Sequence, residues 1–168
     1  MRKVLALDQS SRITGYAIFE NAKLVKYGKF SVDDDDIGVR LLKIRNNVLN
    51  LINDNEINEV VFEDIQLQNN VLNNIQTFKT LAEVFGIIYE LVTELELPHA
   101  AVLSSSWKST LGIKGRTRPE QKRNAQEYVV KAYDVKPTQD ECDAICIGLH
   151  YLIKGPQQEK IEDYDWSD

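Results

Sequence analysis

The sequence has few cysteines and histidines, the residues that bind soft metals or form disulfides. It also has no long apolar segment of the kind that crosses a membrane. Two of its 168 residues are cysteines and two are histidines. Cys142 and Cys146 lie four apart in an apolar helical pattern, which predicts buried, reduced thiols, and we expect structural roles for His99 and His150. No apolar run approaches the roughly 20 residues of a transmembrane helix, and Asp8 interrupts the N-terminal apolar stretch, which argues against a signal peptide. These absences predict a cytoplasmic protein.

The chain also lacks net positive charge. Its net charge of −6 and its pI near 5.0 oppose nucleic-acid binding. Residues 108–123, however, form a basic segment with six Lys and Arg residues against one acid, Glu120. Such a segment can bind phosphates even on an acidic protein, although a solvated loop and helix face is the alternative. The DNA-binding residues predicted from this segment are Lys108, Lys114, Arg116, Arg118, Lys122 and Arg123.

Hydrophobic patterns predict the element order β, β, β, α, β, α, β, followed by helices. Residues 4–7 and 59–62 form short apolar runs typical of buried strands. Residues 14–19 and 23–31 alternate and read as a hairpin, in which Gly28 predicts a bulge. This order predicts an α/β fold, a mixed five-stranded sheet with helices on both faces and the first strand near its centre.

The predicted helix over residues 72–95 carries two apolar stripes where a surface helix needs one. One stripe comprises Ile75, Phe78, Ala82, Phe85, Tyr89 and Val92. The other comprises Leu81, Val84, Ile88, Leu91 and Leu95. Two stripes indicate either deep burial or a second helix packed on the far side, and we favour a homodimer interface. The predicted domain spans residues 1–154, and we expect residues 155–168 to be a mobile acidic tail.

Four carboxylates lie where predicted strands end or where a predicted helix begins, so they can converge on one site. Asp8 and Glu63 each end an apolar strand, whereas Asp140 and Asp143 share one face of a helix. Each alone has an ordinary explanation as a cap or a partner of the helix dipole. Asp64 follows Glu63 but must point to the opposite face of the strand. Converging acids repel unless cations neutralise them, so they predict a phosphodiester-cleaving site with two Mg²⁺ or Mn²⁺ ions.

Three segments, LALDQSSRITGYAIF, VVFEDIQ and DECDAICIGL, resemble the RuvC family of Holliday junction resolvases. The resemblance covers about residues 2–151, and the compact form and acidic tail are closest to phage-borne members. It implies an RNase H-like fold and a homodimeric, metal-dependent endonuclease that cleaves Holliday junctions and other branched DNA. The residues that it implies as metal ligands and catalytic acids are Asp8, Glu63, Asp140 and Asp143.

The resemblance also implies catalytic roles for two lysines of the basic segment, Lys108 and Lys122. The spacing between them is about three residues longer than in cellular members. Three residues past Glu63, cellular members often carry an aromatic residue that probes the junction centre. This chain has Gln66 there, so we expect Gln66 to contact DNA without stacking.

Two other classes of protein remain as alternatives. The segment LDQSSRITGYAIF also looks like a phosphate loop of actin and sugar-kinase-type ATPases. Those proteins need two such domains around the nucleotide, for which 168 residues are too few. A non-catalytic nucleic-acid-binding module of the same fold should have lost at least one acid, and this chain keeps all four. A nuclease of this fold that acts on forks, flaps or RNA–DNA hybrids is not excluded by the sequence.

Overall fold

The structure, a computed structural model, describes residues 1–66 and 71–155, so the predicted acidic tail lies outside the described residues except for Gly155. The strands are β1 (Lys3–Asp8), β2 (Ile13–Glu20), β3 (Lys23–Ser31), β4 (Glu59–Glu63) and β5 (His99–Val102). The helices are α1 (Ile37–Asp54), α2 (Val71–Glu94), α3 (Ser104–Thr110), α4 (Arg118–Tyr133) and α5 (Gln139–Lys154). Among the described residues, no helix is long and apolar enough to cross a bilayer.

The five strands form one mixed sheet in the order β3-β2-β1-β4-β5. β1 pairs antiparallel with β2 and parallel with β4, and β4 pairs parallel with β5. The predicted mixed sheet with a central first strand is therefore confirmed. Because β1 and β4 are parallel neighbours, their terminal residues Asp8 and Glu63 lie at the same edge of the sheet.

The β2–β3 hairpin turns at Asn21 and Ala22, whose φ angles of 48° and 66° lie in the left-handed region. The prediction of a bulge at Gly28 is wrong. The register shifts next to Ile18 instead, where Val25 is the unpaired extra residue on β3. Gly28 lies under the Tyr16 ring, and a Cβ there would be 2.6 Å from the Tyr16 hydroxyl. Close approach of an aromatic side chain therefore explains this glycine.

Alternating side chains of the sheet pack into two hydrophobic layers, one on each face. The residues of β1 that point to α3, α4 and α5 are Val4 and Ala6, and those that point to α1 and α2 are Leu5 and Leu7. Helices thus cover both faces, as predicted. The two cysteines are free and buried in α5, which confirms the expected burial of these thiols.

The two apolar stripes of α2 differ in burial. Val84, Ile88 and Leu91 of one stripe are fully buried against the sheet. In the other stripe, Ile75 is 54% exposed and Tyr89 is 50% exposed. Burial within one chain therefore accounts for the stripe that contains Val84, Ile88 and Leu91. The stripe that contains Ile75 and Tyr89 keeps exposed members.

Two glycines let α5 lie against the sheet at short range. A Cβ on Gly15 would be 2.0 Å from the backbone oxygen of Asp140, and one on Gly148 would be 2.2 Å from the Phe19 ring. Gly15 is the residue of β2 that pairs with Asp8. The first turn of α5 consequently reaches the edge of the sheet where β1 ends.

The helices that border this edge begin at defined caps. The backbone N–H of Thr138 donates to Glu141 Oε2 at 2.6 Å, which completes a capping box at the start of α5. The Thr117 hydroxyl accepts from the backbone N–H of Glu120 and caps α4. Pro119 is the second helical residue of α4.

Candidate active site

A cleft of about 850 Å³ opens where β1 and β4 end, with walls from α3, α4 and α5. The structure brings all four predicted carboxylates to this cleft. They are Asp8, Glu63, Asp140 and Asp143. Residues that are distant in sequence meet here because parallel strands end at one edge and α5 begins beside it.

Glu63 is held in place by two side chains that sequence reasoning missed. The Gln9 side chain donates to the Glu63 carbonyl at 2.6 Å and accepts from the Glu63 N–H at 3.1 Å, just beyond the last backbone pair between β1 and β4. The Trp107 indole N–H donates to Glu63 Oε1 at 3.3 Å. Asp64 instead accepts the N–H of the next residue, Ile65, at 2.8 Å. The Glu63 carboxylate therefore faces α3. The sequence argument chose Glu63 over Asp64 as the residue that faces the site.

Asp143 is oriented from within its own helix. Gln139 Nε2 donates to Asp143 Oδ1 at 2.9 Å, across the spacing of four residues that places helical side chains side by side. Sequence reasoning also missed Gln139, although its spacing of four residues from Asp143 places the two side chains together on a helix. Both residues line the cleft, so the bond fixes one carboxylate oxygen at its wall.

Burial raises the pKa values of three of the acids, and repulsion from neighbouring carboxylates adds to the rise at Asp8 and Asp143. Burial is the largest cause at Asp8, whose pKa lies well above its usual range, and the charges of Glu63, Asp143 and Asp140 add to it. Burial likewise raises the pKa of Glu63, against hydrogen bonds from Trp107 and Asp8. It raises that of Asp143 to about 6, against the bond from Gln139. The cleft therefore holds more carboxylate groups than the surrounding lysines and hydrogen-bond donors can neutralise.

This donor set fits a hard divalent cation. Carboxylate oxygens are the ligands that Mg²⁺ and Mn²⁺ prefer, and a cation would relieve the repulsion that raises the pKa values. Within the described ranges, no three acidic, histidine or cysteine side chains form a ready-made cage for an ion.

The predicted basic segment divides into two groups. Lys108, Arg118 and Lys122 line the cleft together with Gln66. The Lys108 ammonium lies 5.3 Å from the centre of the Trp107 ring, a favourable cation–π distance. Gln66 donates to the Ser105 hydroxyl at 3.3 Å.

The remaining basic residues lie outside the cleft. They are Lys114, Arg116 and Arg123, and all three are exposed. Their backbone is fixed, because the Lys114 carbonyl accepts from Asn124 at 2.6 Å and the Arg116 N–H donates to Glu120 at 2.9 Å. The segment is therefore an ordered connection that presents one group of cations to the cleft and another to its surroundings.

The raised pKa of Asp143 predicts a pH-dependent stability of the cation-free protein. An aspartate ordinarily ionises near 3.8 and Asp143 in the folded state near 6. Between these values the folded state keeps a proton that the unfolded state has released. The free energy of unfolding should therefore fall as the pH rises from about 4 to about 6, by up to about 3 kcal/mol.

Asp143→Asn should remove the contribution of Asp143 to this fall, because the amide resembles the protonated acid. Urea unfolding in EDTA should show the variant more stable than the wild type at about pH 7.5 and equal to it at about pH 4. Equal stability of the two proteins at both pH values would contradict the assignment of an unneutralised charge to Asp143.

Comparison with known proteins connects this cleft to a nuclease family. The family model described as "Crossover junction endodeoxyribonuclease RuvC" matches residues 4–151. A protein of that description from Pelobacter propionicus is 26% identical over 162 residues, which cover 90% of this chain and 89% of the relative.

Solved structures of junction-cleaving enzymes share the fold. Thermus thermophilus RuvC in complex with a Holliday junction substrate has a TM-score of 0.72 at 14% identity, covering 94% of this chain and 99% of its own. The yeast mitochondrial Holliday junction resolvase has a TM-score of 0.57 at 12% identity, covering 90% and 78%. The Fowlpox virus resolvase with Holliday junction DNA has a TM-score of 0.53 at 14% identity, covering 90% and 97%. These matches confirm the predicted RNase H-like fold.

Proposed function

Because the chain belongs to the RuvC family of crossover junction endodeoxyribonucleases, we propose that it hydrolyses phosphodiester bonds of Holliday junctions. The observation that carries the proposal is the meeting of four carboxylates and two lysines in one cleft of an RNase H-like sheet. The structural relatives whose descriptions name a Holliday junction substrate support the choice of branched DNA. A DNA substrate of this kind implies action in the cytoplasm of a bacterial or phage-infected cell.

We assign the cation ligands to the four cleft carboxylates, with two Mg²⁺ or Mn²⁺ ions in each active site. When bound, such ions activate water and stabilise the departing 3′ oxygen. The chain's own contribution is orientation: Gln9 and Trp107 hold Glu63, and Gln139 holds Asp143. A rigid arrangement of ligands avoids reorganisation during the reaction.

Lys108 and Lys122 are the cations that we place at the scissile phosphate. Both line the cleft, and their charges oppose the rise in the pKa of Asp143, which supports this placement. A fixed positive charge there stabilises the extra negative charge of the transition state. Arg118, which also lines the cleft, would bind the adjoining backbone.

The exposed basic residues and Gln66 are proposed contacts to the arms of the junction. Lys114, Arg116 and Arg123 lie on the connection and helix that border the cleft, where they would bind phosphates without reading sequence. Gln66 lies at the mouth of the cleft beside Ser105. Its polar side chain would hydrogen-bond to DNA at the crossover in place of aromatic stacking.

We also propose a homodimer built on α2, since cutting two symmetric strands requires two sites related by a two-fold axis. The exposed side chains of Ile75 and Tyr89 support it. Tyr89 continues an aromatic cluster, 6.1 Å from Phe85 and 5.1 Å from His99 between ring centres. Light scattering at micromolar concentration should give twice 19.2 kDa, whereas a monomer at that concentration would argue against this interface.

The proposed organisation is one nuclease domain over residues 1–154 followed by an acidic tail over 155–168, as in phage-borne members of the family. The domain contains every residue assigned above to the cleft. Cleavage is therefore assigned to the domain.

A panel of DNA structures tests the proposed function. The protein with Mg²⁺ is incubated with a four-way junction, a fork, a flap, an RNA–DNA hybrid and a linear duplex of shared sequence. The junction should be cut fastest, by paired nicks at symmetric positions, and excess EDTA should abolish cutting because the ligands are carboxylates. Equal cutting of the linear duplex, or full activity in EDTA, would contradict the proposal.

A further inference from the structure

A second pocket, of about 380 Å³, lies between β5, α3 and the C-terminal half of α5. Its apolar part is formed by Ala100, Val102 and Tyr151. Its polar part carries hydroxyl groups of α3 and two basic side chains of α5, His150 and Lys154. Apart from Ser105 and Ser109 of α3, none of the described residues of this pocket lines the cleft.

The polar groups of this second pocket suit an anion. Lys154 supplies a positive charge, and Ser106, Ser109 and Thr110 supply hydroxyl donors. None of the described residues that line the pocket is acidic, although the chain as a whole carries a net charge of −6. An acid-free pocket on an acidic protein favours a phosphate group over a cation or a neutral ligand.

The His150 ring is held at the wall of the pocket. Its Nδ1 lies 2.9 Å from the Thr110 hydroxyl oxygen, a hydrogen bond that joins α5 to the end of α3. Both partners line the pocket and are half-buried. The bond therefore fixes an imidazole and a hydroxyl together before any ligand binds, which lowers the entropic cost of binding.

The second pocket lies close to the catalytic cleft. Ser105 and Ser109 of α3 line both cavities, so this short helix forms the wall between them. Along α5, His150 follows Asp143 by seven residues, which corresponds to about 10 Å of helix. A nucleic-acid strand advances about 3.4 Å per nucleotide along its axis, so about three nucleotides span this distance.

We infer that the second pocket binds a backbone phosphate of the strand that is cut, about three nucleotides from the scissile phosphate. Lys154, His150 and the hydroxyls of α3 contact the phosphate, and the sugar lies on Ala100 and Val102. The placement of the strand rests on the proposed function. The affinity for phosphate follows from the donors of the pocket alone, and free inorganic phosphate shares that chemistry.

The test uses the small number of histidines. With two in the chain, the ring signals of His150 and His99 can be followed separately by NMR, and His99 serves as an internal reference. Inorganic phosphate and a short single-stranded oligodeoxynucleotide are titrated in turn into the full-length protein without divalent cations. Both ligands should shift His150 and leave His99 unchanged.

Variants then connect the pocket to junction binding. Lys154→Gln and Thr110→Val should each weaken the His150 response, and Lys154→Gln should lower the slope of log affinity for the junction against log salt by about 0.7–0.9. Lys154→Arg should restore the slope. The matched control is Lys131→Gln, because Lys131 is also an exposed lysine in the last turn of a helix. Circular dichroism confirms that each variant is folded.

The outcomes separate the inference from the proposed function. An unshifted His150 with both ligands would overturn the inference even if the junction is cleaved. A shift with inorganic phosphate but not with the oligodeoxynucleotide, and an unchanged salt slope, would overturn the strand placement and leave a site for free phosphate. If no DNA is cleaved but the oligodeoxynucleotide shifts His150 and Lys154→Gln reduces that shift, the pocket is supported while the nuclease proposal fails.

Discussion

Replacing one cleft carboxylate by its amide should lower cleavage of a four-way junction by roughly 10²–10⁴-fold, the range seen when one group that acts on the transition state is lost. The variants are Asp8→Asn, Glu63→Gln, Asp140→Asn and Asp143→Asn. Junction binding should persist or tighten, because each change removes a negative charge near phosphates. The measurements are single-turnover cleavage with Mg²⁺ and equilibrium binding without it.

Asp64→Asn provides the matched control for these variants. Asp64 is the next residue after Glu63 and also borders the cleft, but its carboxylate accepts the N–H of Ile65. The amide keeps an oxygen for that bond, so cleavage should stay within about threefold of the wild type, a change of under 1 kcal/mol. Normal turnover in Asp143→Asn would exclude α5 from the site, and a larger loss in Asp64→Asn than in Glu63→Gln would reverse their assignment.

Gly15→Ala should impair both stability and cleavage through a single methyl group. The new Cβ would lie 2.0 Å from the backbone oxygen of Asp140, and neither backbone can yield as a flexible side chain would. Relief of this overlap must displace the first turn of α5 from β2, at a cost of about 1–3 kcal/mol or more. Because Asp140 and Asp143 would move with α5, cleavage should fall further than the loss of folded protein explains.

The control for this variant is Gly86→Ala. Gly86 is an exposed residue within α2, and within one chain a Cβ there would meet nothing within 4 Å. Because α2 is also the proposed dimer interface, unfolding of this control is measured at a concentration where the protein is monomeric. Alanine is favoured over glycine inside a helix, so the free energy of unfolding should rise by about 0.5–1 kcal/mol. Urea unfolding measures both variants, and cleavage is compared under conditions where each is fully folded. Full activity in Gly15→Ala would show that α5 tolerates displacement.

The fold could be predicted from the sequence because its signals are local. The apolar runs before Asp8 and Glu63 have the length and composition of buried strands, and their order permits few sheet topologies. Gly28 was misread because a glycine within a strand is compatible with either a bulge or a close neighbour. Only the position of the Tyr16 ring separates these two explanations.

The candidate site was predictable in its charged residues and not in the residues that orient them. Carboxylates after buried strands are conspicuous because burying a charge is costly. Gln9 and Trp107 are neutral, and they reach Glu63 across 54 and 44 residues of sequence, a pairing that no local pattern encodes. The sequence alone presents the basic segment as one group of cations, because it does not show how the segment folds. In the folded chain, Lys108, Arg118 and Lys122 line the cleft, whereas the other three cations lie outside it.

The contact between Gly15 and Asp140 means that the proposed site needs both the N-terminal strands and α5, which the ribosome makes at different times. During synthesis the ribosome releases β1 to β4, with Asp8 and Glu63, long before the residues of α5 exist. The N-terminal part can begin to fold, yet it holds half of the acids and has no helix against β2. A nascent or truncated chain without α5 therefore holds only half of the proposed ligands, and the proposed site is completed only when α5 has been made.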